Sequence, residues 1–253
     1  IYYETYGAGD AVVFSHGLGG NHAIWYQQVY EFALDYLVVT WDQRGFGQST
    51  NVNDEAGPAA AGRDLKALLD HLQIDKAHLI GQSMGGGTTR AFALDNPDRV
   101  RSITFADTIA GIYTPAIEEQ FDAYIRSAFS APVRGAAPFG THPAIGTKHT
   151  ESDPVHAFLY EQIGSATSPP PPTIARQLRE TAYDHAKIKS VNVPVLFVVG
   201  EEDPIFRPTS IHAASEVVPN SRVVEIPNAG HSPYFELPAL WNAAVRDFLG
   251  SVK

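Results

Sequence analysis

Three side chains stand where nucleophilic catalysis would need them. Ser83 lies in Gly81-Gln82-Ser83-Met84-Gly85-Gly86, directly after the apolar run Ala77-His78-Leu79-Ile80. A Gly-x-Ser-x-Gly turn between a strand and a helix lifts one hydroxyl clear of the chain, because its glycines remove side chains that would strike the neighbouring elements. The helix that follows aims its first-turn N–H groups at the serine, which favours a developing oxyanion. A hydroxyl is a weak nucleophile without a base. His231, in Gly230-His231-Ser232-Pro233, follows the apolar run 222–227 and can be that base. Asp203, in Gly200-Glu201-Glu202-Asp203-Pro204, follows the run 195–200 and can fix the imidazole tautomer and stabilise the imidazolium. Asp107, at the end of the run 102–107, is a rival for the acid, and Glu201 and Glu202 are weaker ones.

A tetrahedral intermediate needs two donors. The backbone N–H of Met84, next to the nucleophile, is one candidate. The N–H of Leu18, in Ser15-His16-Gly17-Leu18-Gly19-Gly20, is the other, with Gly17 and Gly19 allowing close backbone approach. His16 is read as a structural residue that holds this loop.

These four loops require a scaffold that gathers strand ends on one edge. Runs at 11–15, 36–42, 77–81, 102–107, 195–200 and 222–227 are short, apolar and fit for buried strands. Helical patterns separate them: 57–72 carries Leu65, Leu68, Leu69 and Leu72 on one stripe, 84–95 ends at Asn96-Pro97, and others fall near 21–34, 209–218 and 237–249. Buried strands alternating with helices predict an α/β chain with a mostly parallel sheet. The rhythm stops between 111 and 189. There the patterns predict helices near 115–129, 154–163 and 173–185, among Gly- and Pro-rich stretches and the aromatics Tyr113, Phe121, Tyr124, Phe129, Phe139, Phe158 and Tyr160. The expected organisation is a core of 1–110 and 190–253 with a helical cap inserted at 111–189.

With 253 residues, 44% hydrophobic and 18% charged, the chain can bury a large core. A net charge of -10 argues against nucleic acid and acidic membranes as partners. The absence of cysteine removes disulfides, thiol catalysis and cysteine–zinc sites. No apolar run approaches the ~20 residues of a membrane span. A cytoplasmic location is expected, although the chain begins at Ile1 rather than methionine, so a removed signal peptide stays open. His142, His149 and His156 recur every seven residues near Glu151 and Asp153, but Pro143, Gly146 and Pro154 interrupt any single helix across them, so a solvated loop is expected and no metal site.

Together, residues 16–20, Asp42-Gln43-Arg44-Gly45-Phe46-Gly47-Gln48-Ser49, 81–86, 200–204 and 230–233 resemble the α/β-hydrolase superfamily in its serine-nucleophile branch, in the family's order along nearly the whole chain. The loop 42–49 is read as structural, with Arg44 paired internally. Met84-Gly85-Gly86 and Phe105-Ala106-Asp107-Thr108 look similar to 3-oxoadipate enol-lactonases and small esterases, and the elbow and histidine loops also resemble those of meta-cleavage-product hydrolases. The resemblance implies an α/β-hydrolase fold and a cofactor-free serine hydrolase of an ester or lactone, and the aromatics of 111–189 suggest an apolar or aromatic acyl group. The alternatives are a C–C hydrolase of an acidic vinylogous diketone, for which Arg126, Arg134 and Lys148 are the basic residues the cap offers, and a ligand-sensing receptor on the same fold.

Overall fold

The computed structural model describes residues 1–115, 117–120, 142–166, 169–180, 187 and 191–252. Seven strands form one sheet: β1 (Tyr3–Tyr6), β2 (Ala11–Ser15), β3 (Leu37–Trp41), β4 (Ala77–Gln82), β5 (Val100–Ala106), β6 (Val195–Gly200) and β7 (Ser221–Ile226), in the order β1-β3-β2-β4-β5-β6-β7. Only β1 runs antiparallel, at one edge. Strands β2, β4 and β6 are buried at every position, the mark of strands covered on both faces.

Alternate residues feed two cores. On one face, Val13, Leu79, Phe105 and Phe197 pack with Leu65, Leu68 and Leu69 of α2 (Pro58–His71), Phe92 of α3 (Met84–Asp95) and Ile211 of the helix at Pro208–Ser215. On the other, Val12, Phe14, Ile80, Leu196 and Val198 pack with Phe32 of α1 (Tyr26–Phe32) and Trp241, Val245 and Phe248 of the helix at Pro238–Ser251. Asn21 caps the short turn before α1 through its side chain, which accepts the Ala23 N–H at 2.8 Å.

Between 111 and 189 the described residues contribute no strand. They include α4 (Thr147–Ser152), α5 (Pro154–Ser165) and α6 (Ile174–Glu180). Asp153 starts α5 by accepting the His156 N–H at 3.0 Å, with Pro154 at its first position. The helix expected at 115–129 and the end of that expected at 173–185 lie largely outside the described residues. Beyond 189, α7 (Pro208–Ser215) and α9 (Pro238–Ser251) match their patterns, and the short α8 (Pro233–Glu236) is an addition that the sequence pattern did not predict. Among the described residues no helix is long and apolar enough to cross a membrane.

Chain order reverses around β2: β3 lies on one side of it and β4 on the other. Such a switch point opens a crevice at the carboxyl ends of the strands. The registers make those ends level. Ser15 pairs with Gly81, Gln82 with Ala106, Ala106 with Val198 and Gly200 with Ile226. The loops at 16–20, 83, 107, 201–203 and 227–231 therefore open side by side.

The core that holds this register is tightly filled. Phe105 is fully buried, with its ring centroid 5.2 Å from that of Phe197. Phe105→Ala should lower the unfolding free energy by about 3–5 kcal/mol, read from the urea midpoint at unchanged slope.

Candidate active site

Ser83 has φ 50° and ψ −115°, a left-handed backbone that L residues rarely adopt. The turn is held because Ser83 N–H donates to Ala106 O at 3.0 Å and Gly86 N–H to Ser83 O at 3.0 Å. Its glycines are steric necessities. A Cβ on Gly81 would stand 2.4 Å from Gly85 O, and one on Gly85 2.2 Å from Ser15 O. Ser83 is half-buried and opens into a cavity of about 370 Å³ that His231, Leu18 and Met84 also line. Met84 is the first residue of α3, where backbone N–H groups have no acceptor within the helix.

His231 is held from behind. Its Nδ1–H donates to Asp203 Oδ2 at 2.8 Å, both side chains being buried. With the proton on Nδ1, the Nε2 lone pair is left for a proton transfer. Asp203 turns its other oxygen to its own loop, where Oδ1 accepts the N–H groups of Ile205 at 2.8 Å and Phe206 at 3.1 Å. The rivals for the acid are engaged elsewhere. Asp107 Oδ1 accepts the Gly200 N–H at 2.9 Å, joining the end of β5 to β6. Glu201 accepts the Asn228 N–H, and Glu202 pairs with Lys148.

The loop after β2 is built around His16. Its Nε2 accepts the Gln43 N–H at 3.0 Å, so the proton sits on Nδ1 and donates to Gly17 O at 2.8 Å. Burial pushes its pKa down to about 4, so the ring is neutral at physiological pH. The loop 42–49 is equally internal. Asp42 accepts from His22 N–H and Gln48 N–H, and Arg44 donates to both carboxylate oxygens of Asp64, at 2.7 and 2.5 Å.

Two positioning side chains went unnoticed in the sequence. Gln82, the variable residue of the Gly-x-Ser turn, donates through Nε2 to His231 O at 3.0 Å and so ties the two loops together. Glu236 is buried, and its Oε2 accepts the N–H groups of Gly146 at 3.0 Å and Gly230 at 2.9 Å, while Oε1 accepts that of Ser232 at 3.0 Å. It brackets His231 and fastens the segment at Gly146 to the histidine loop. Burial pushes its carboxyl up and the three N–H donors pull it back. A carboxylate inside the run Pro233-Tyr234-Phe235-Glu236, between hydrophobic neighbours, was the available signal.

The cavity wall is largely apolar, with Ile109, Tyr113, Tyr160, Leu178 and Phe206 among its residues. Two basic side chains also line it, Arg90 from α3 and His142. His142 Nδ1 accepts the Ala144 N–H at 3.1 Å, and burial lowers its pKa. Arg90 is buried in the core, whereas the basic residues sought in the cap are elsewhere: Lys148 is exposed against Asn228 and Glu202, and Arg126 and Arg134 lie outside the described residues. The three periodic histidines divide. His149 Nε2 meets His156 Nδ1 at 3.2 Å, and Tyr26 OH lies 3.0 Å from His156 Nε2, while His142 faces Tyr160 with ring centroids 5.0 Å apart. The described residues hold one group of three potential metal ligands, Asp107, Asp203 and His231.

The alpha/beta hydrolase fold family matches this chain over residues 10–238. The 3-oxoadipate enol-lactonase 1 of Acinetobacter baylyi is 30% identical, over 96% of this chain and 90% of its own. A malate-bound thermophilic esterase from Thermogutta terrifontis superposes with a TM-score of 0.78 at 30% identity, covering 98% of this chain and 92% of the esterase. A mutant meta-cleavage product hydrolase, at 22% identity and a TM-score of 0.69 over 99% of this chain and 94% of its own, shares the fold.

Two outcomes are expected. Glu236→Gln replaces one acceptor oxygen by an amide that must face an N–H, so it should cost about 1–3 kcal/mol in urea unfolding and lower turnover more than substrate affinity. The second concerns acid. His16 binds its proton near pH 4 when folded and near 6.5 when unfolded, so between these values the unfolded chain holds more protons. Stability should therefore fall as pH drops through this window, at up to about 1.4 kcal/mol per unit for this group, as thermal scans across it would record.

Proposed function

The chain belongs to the alpha/beta hydrolase fold family, and we propose that this hydrolase cuts a carboxylic ester or lactone through an acyl-enzyme on Ser83, with His231 as base and Asp203 as its carboxylate partner. The observation that carries the proposal is the presence, in one cavity, of a serine on a left-handed strand-to-helix turn and an imidazole whose Nδ1 is committed to a buried carboxylate.

In this mechanism His231 Nε2 takes the Ser83 proton as Oγ bonds to the substrate carbonyl carbon. The electron pair moves to the carbonyl oxygen, held by the N–H groups of Met84 and Leu18. Collapse breaks the C–O bond, and the imidazolium returns its proton to the departing alkoxide. In a lactone that alkoxide stays tethered to the acyl group. Water then gives a proton to His231 as its oxygen adds to the acyl carbon, and collapse breaks the acyl–Oγ bond while the imidazolium returns the proton to Ser83, releasing the acid. We assign residues 1–110 and 190–253 to the catalytic core and 111–189 to a cap over the cavity. The apolar wall supports an apolar or aromatic acyl group, and the ester- and lactone-cleaving relatives support the bond class. No step requires a cofactor.

A second mechanism, hydrolysis of a C–C bond in a vinylogous diketone, gains support from Arg90. Such substrates are acidic, and a buried guanidinium in the cavity wall would favour them.

Release of p-nitrophenol from acetate, butyrate and octanoate esters should show a burst of acylation followed by steady turnover. Ser83→Ala should lower turnover by about 10^4-fold or more while leaving the thermal midpoint in place. Turnover by Ser83→Ala at the wild-type rate would sink the serine mechanism. A folded wild type that is inert to esters and lactones but cleaves diketones selects the second mechanism, and stoichiometric capture without turnover selects a receptor.

A further inference from the structure

Behind His231 lies a second carboxyl for which the triad has no use. Asp107 directly follows β5, is completely buried and has φ 49°. Its Oδ1 accepts the Gly200 N–H, but its Oδ2 is enclosed with no N–H or hydroxyl donor in reach. An Asp107 oxygen, an Asp203 oxygen and a His231 nitrogen lie within 4.8 Å of one another.

Two carboxylates that close in a dry site cannot both keep a charge. The donors decide which one does. Asp203 receives three N–H groups, from His231, Ile205 and Phe206. Asp107 receives one, and no donor reaches its second oxygen. An oxygen buried without a donor costs least when it carries the proton itself.

We propose that Asp107 and Asp203 share a single negative charge, with Asp107 a neutral carboxylic acid whose Oδ2–H donates to the Asp203 carboxylate. The proposal rests on the assignment of Asp203 as the partner of His231. It makes Asp107 a positioning residue that holds the Asp203 carboxylate against rotation and presents one charge, not two, to the imidazolium. The surroundings agree. Burial foremost, and then the charge of Asp203, push the Asp107 carboxyl well above the usual carboxylate range. The other titratable groups facing the pair do not reverse this: Glu236 adds negative charge, and burial raises Tyr160 and Tyr234, which stay neutral. A further consequence follows for a chain that has lost the charge of Asp203. Ionising Asp107 then costs less, and its carboxylate lies within reach of the imidazole as a reserve acid.

The experiment compares kcat, KM and their pH profiles for wild type, Asp107→Asn, Asp107→Leu, Asp203→Asn and the Asp107→Asn/Asp203→Asn double variant, on whichever substrate the wild type turns over. The amide of Asp107→Asn can still donate to Asp203 and accept from Gly200, so kcat should stay within about threefold of wild type. Asp107→Leu should lose about tenfold or more in kcat at unchanged KM, the loss of one hydrogen bond to a charged group. Any limb of the wild-type pH profile that reports ionisation of Asp107 should be absent in Asp107→Asn. Asp203→Asn should keep about tenfold more activity than the double variant. Infrared spectra near neutral pH should show a neutral carboxyl C=O band in wild type that Asp107→Asn lacks, a readout that holds even where Asp107→Leu fails to fold. A wild type without that band, an Asn variant as impaired as the Leu variant, or a double variant equal to Asp203→Asn would overturn the shared charge. Failure of the triad itself reads differently, as retained turnover in Ser83→Ala and His231→Ala.

Discussion

The site depends on one close approach. Helix α3 begins against the end of strand β2, and Gly85 sits where a Cβ would fall 2.2 Å from the Ser15 carbonyl oxygen. No other residue type fits without moving backbone on one side or the other. That contact sets where α3 starts, which in turn forces the left-handed turn at Ser83 and directs the hydroxyl into the crevice. It also brings the loop of Leu18 beside the helix N-terminus, because β2 and β4 end level at the Ser15–Gly81 pair. The nucleophile and both candidate oxyanion donors are thus placed by a backbone contact between two buried elements, and side-chain choice at the site adds the chemistry afterwards. Rigid placement of this kind lets hydrogen bonds aimed at a transition state act without reorganisation.

The second constraint is electrostatic. Asp107, Asp203 and Glu236 are three buried carboxyls gathered near one imidazole. Burying charge without partners is costly, and the fold answers with backbone N–H groups: three on Glu236, two on Asp203 besides the imidazole, and one on Asp107. The ranking of those donors tracks the role of each group. Glu236 holds loops, Asp203 orients a ring, and Asp107, the least served, is the one that keeps a proton. The same residues join β5, β6, the histidine loop and the cap segment at Gly146, so the charge network is also a mechanical link among the elements around the cavity.

Much of this was legible beforehand because strand ends and elbows leave local marks. The apolar runs, the leucine stripe of α2, the Gly-x-Ser-x-Gly turn and the order Ser83, Asp203, His231 are short-range patterns with steric causes. Asp203 was preferred to Asp107 on the Ser…Asp…His order along the chain, and the structure adds its hydrogen bond to His231. What stayed hidden was long-range. Gln82 reads as a free position in the turn, yet its partner is the His231 carbonyl 149 residues away. Arg90 looks like one more residue on α3, and only packing reveals that its buried head reaches the cavity wall. The search for a cation in the cap followed the idea that caps set the substrate, whereas here the cation among the described lining residues comes from the core. Glu236 was missed because a lone glutamate ordinarily lies on the surface, and nothing in its own neighbourhood records that its three donors come from the histidine loop and from the distant Gly146.

The described segment 142–165 is tied to the loop that follows His231. Gly146 hangs on Glu236, Ser232 Oγ donates to Tyr160 OH at 3.1 Å, and His156 stacks on Phe235 with centroids 4.3 Å apart. All three contacts land on residues 232–236, immediately after His231. A shift of α4 or α5 would therefore be felt by the base before it was felt by the nucleophile, which is tied to the sheet through Ala106 and Gly85.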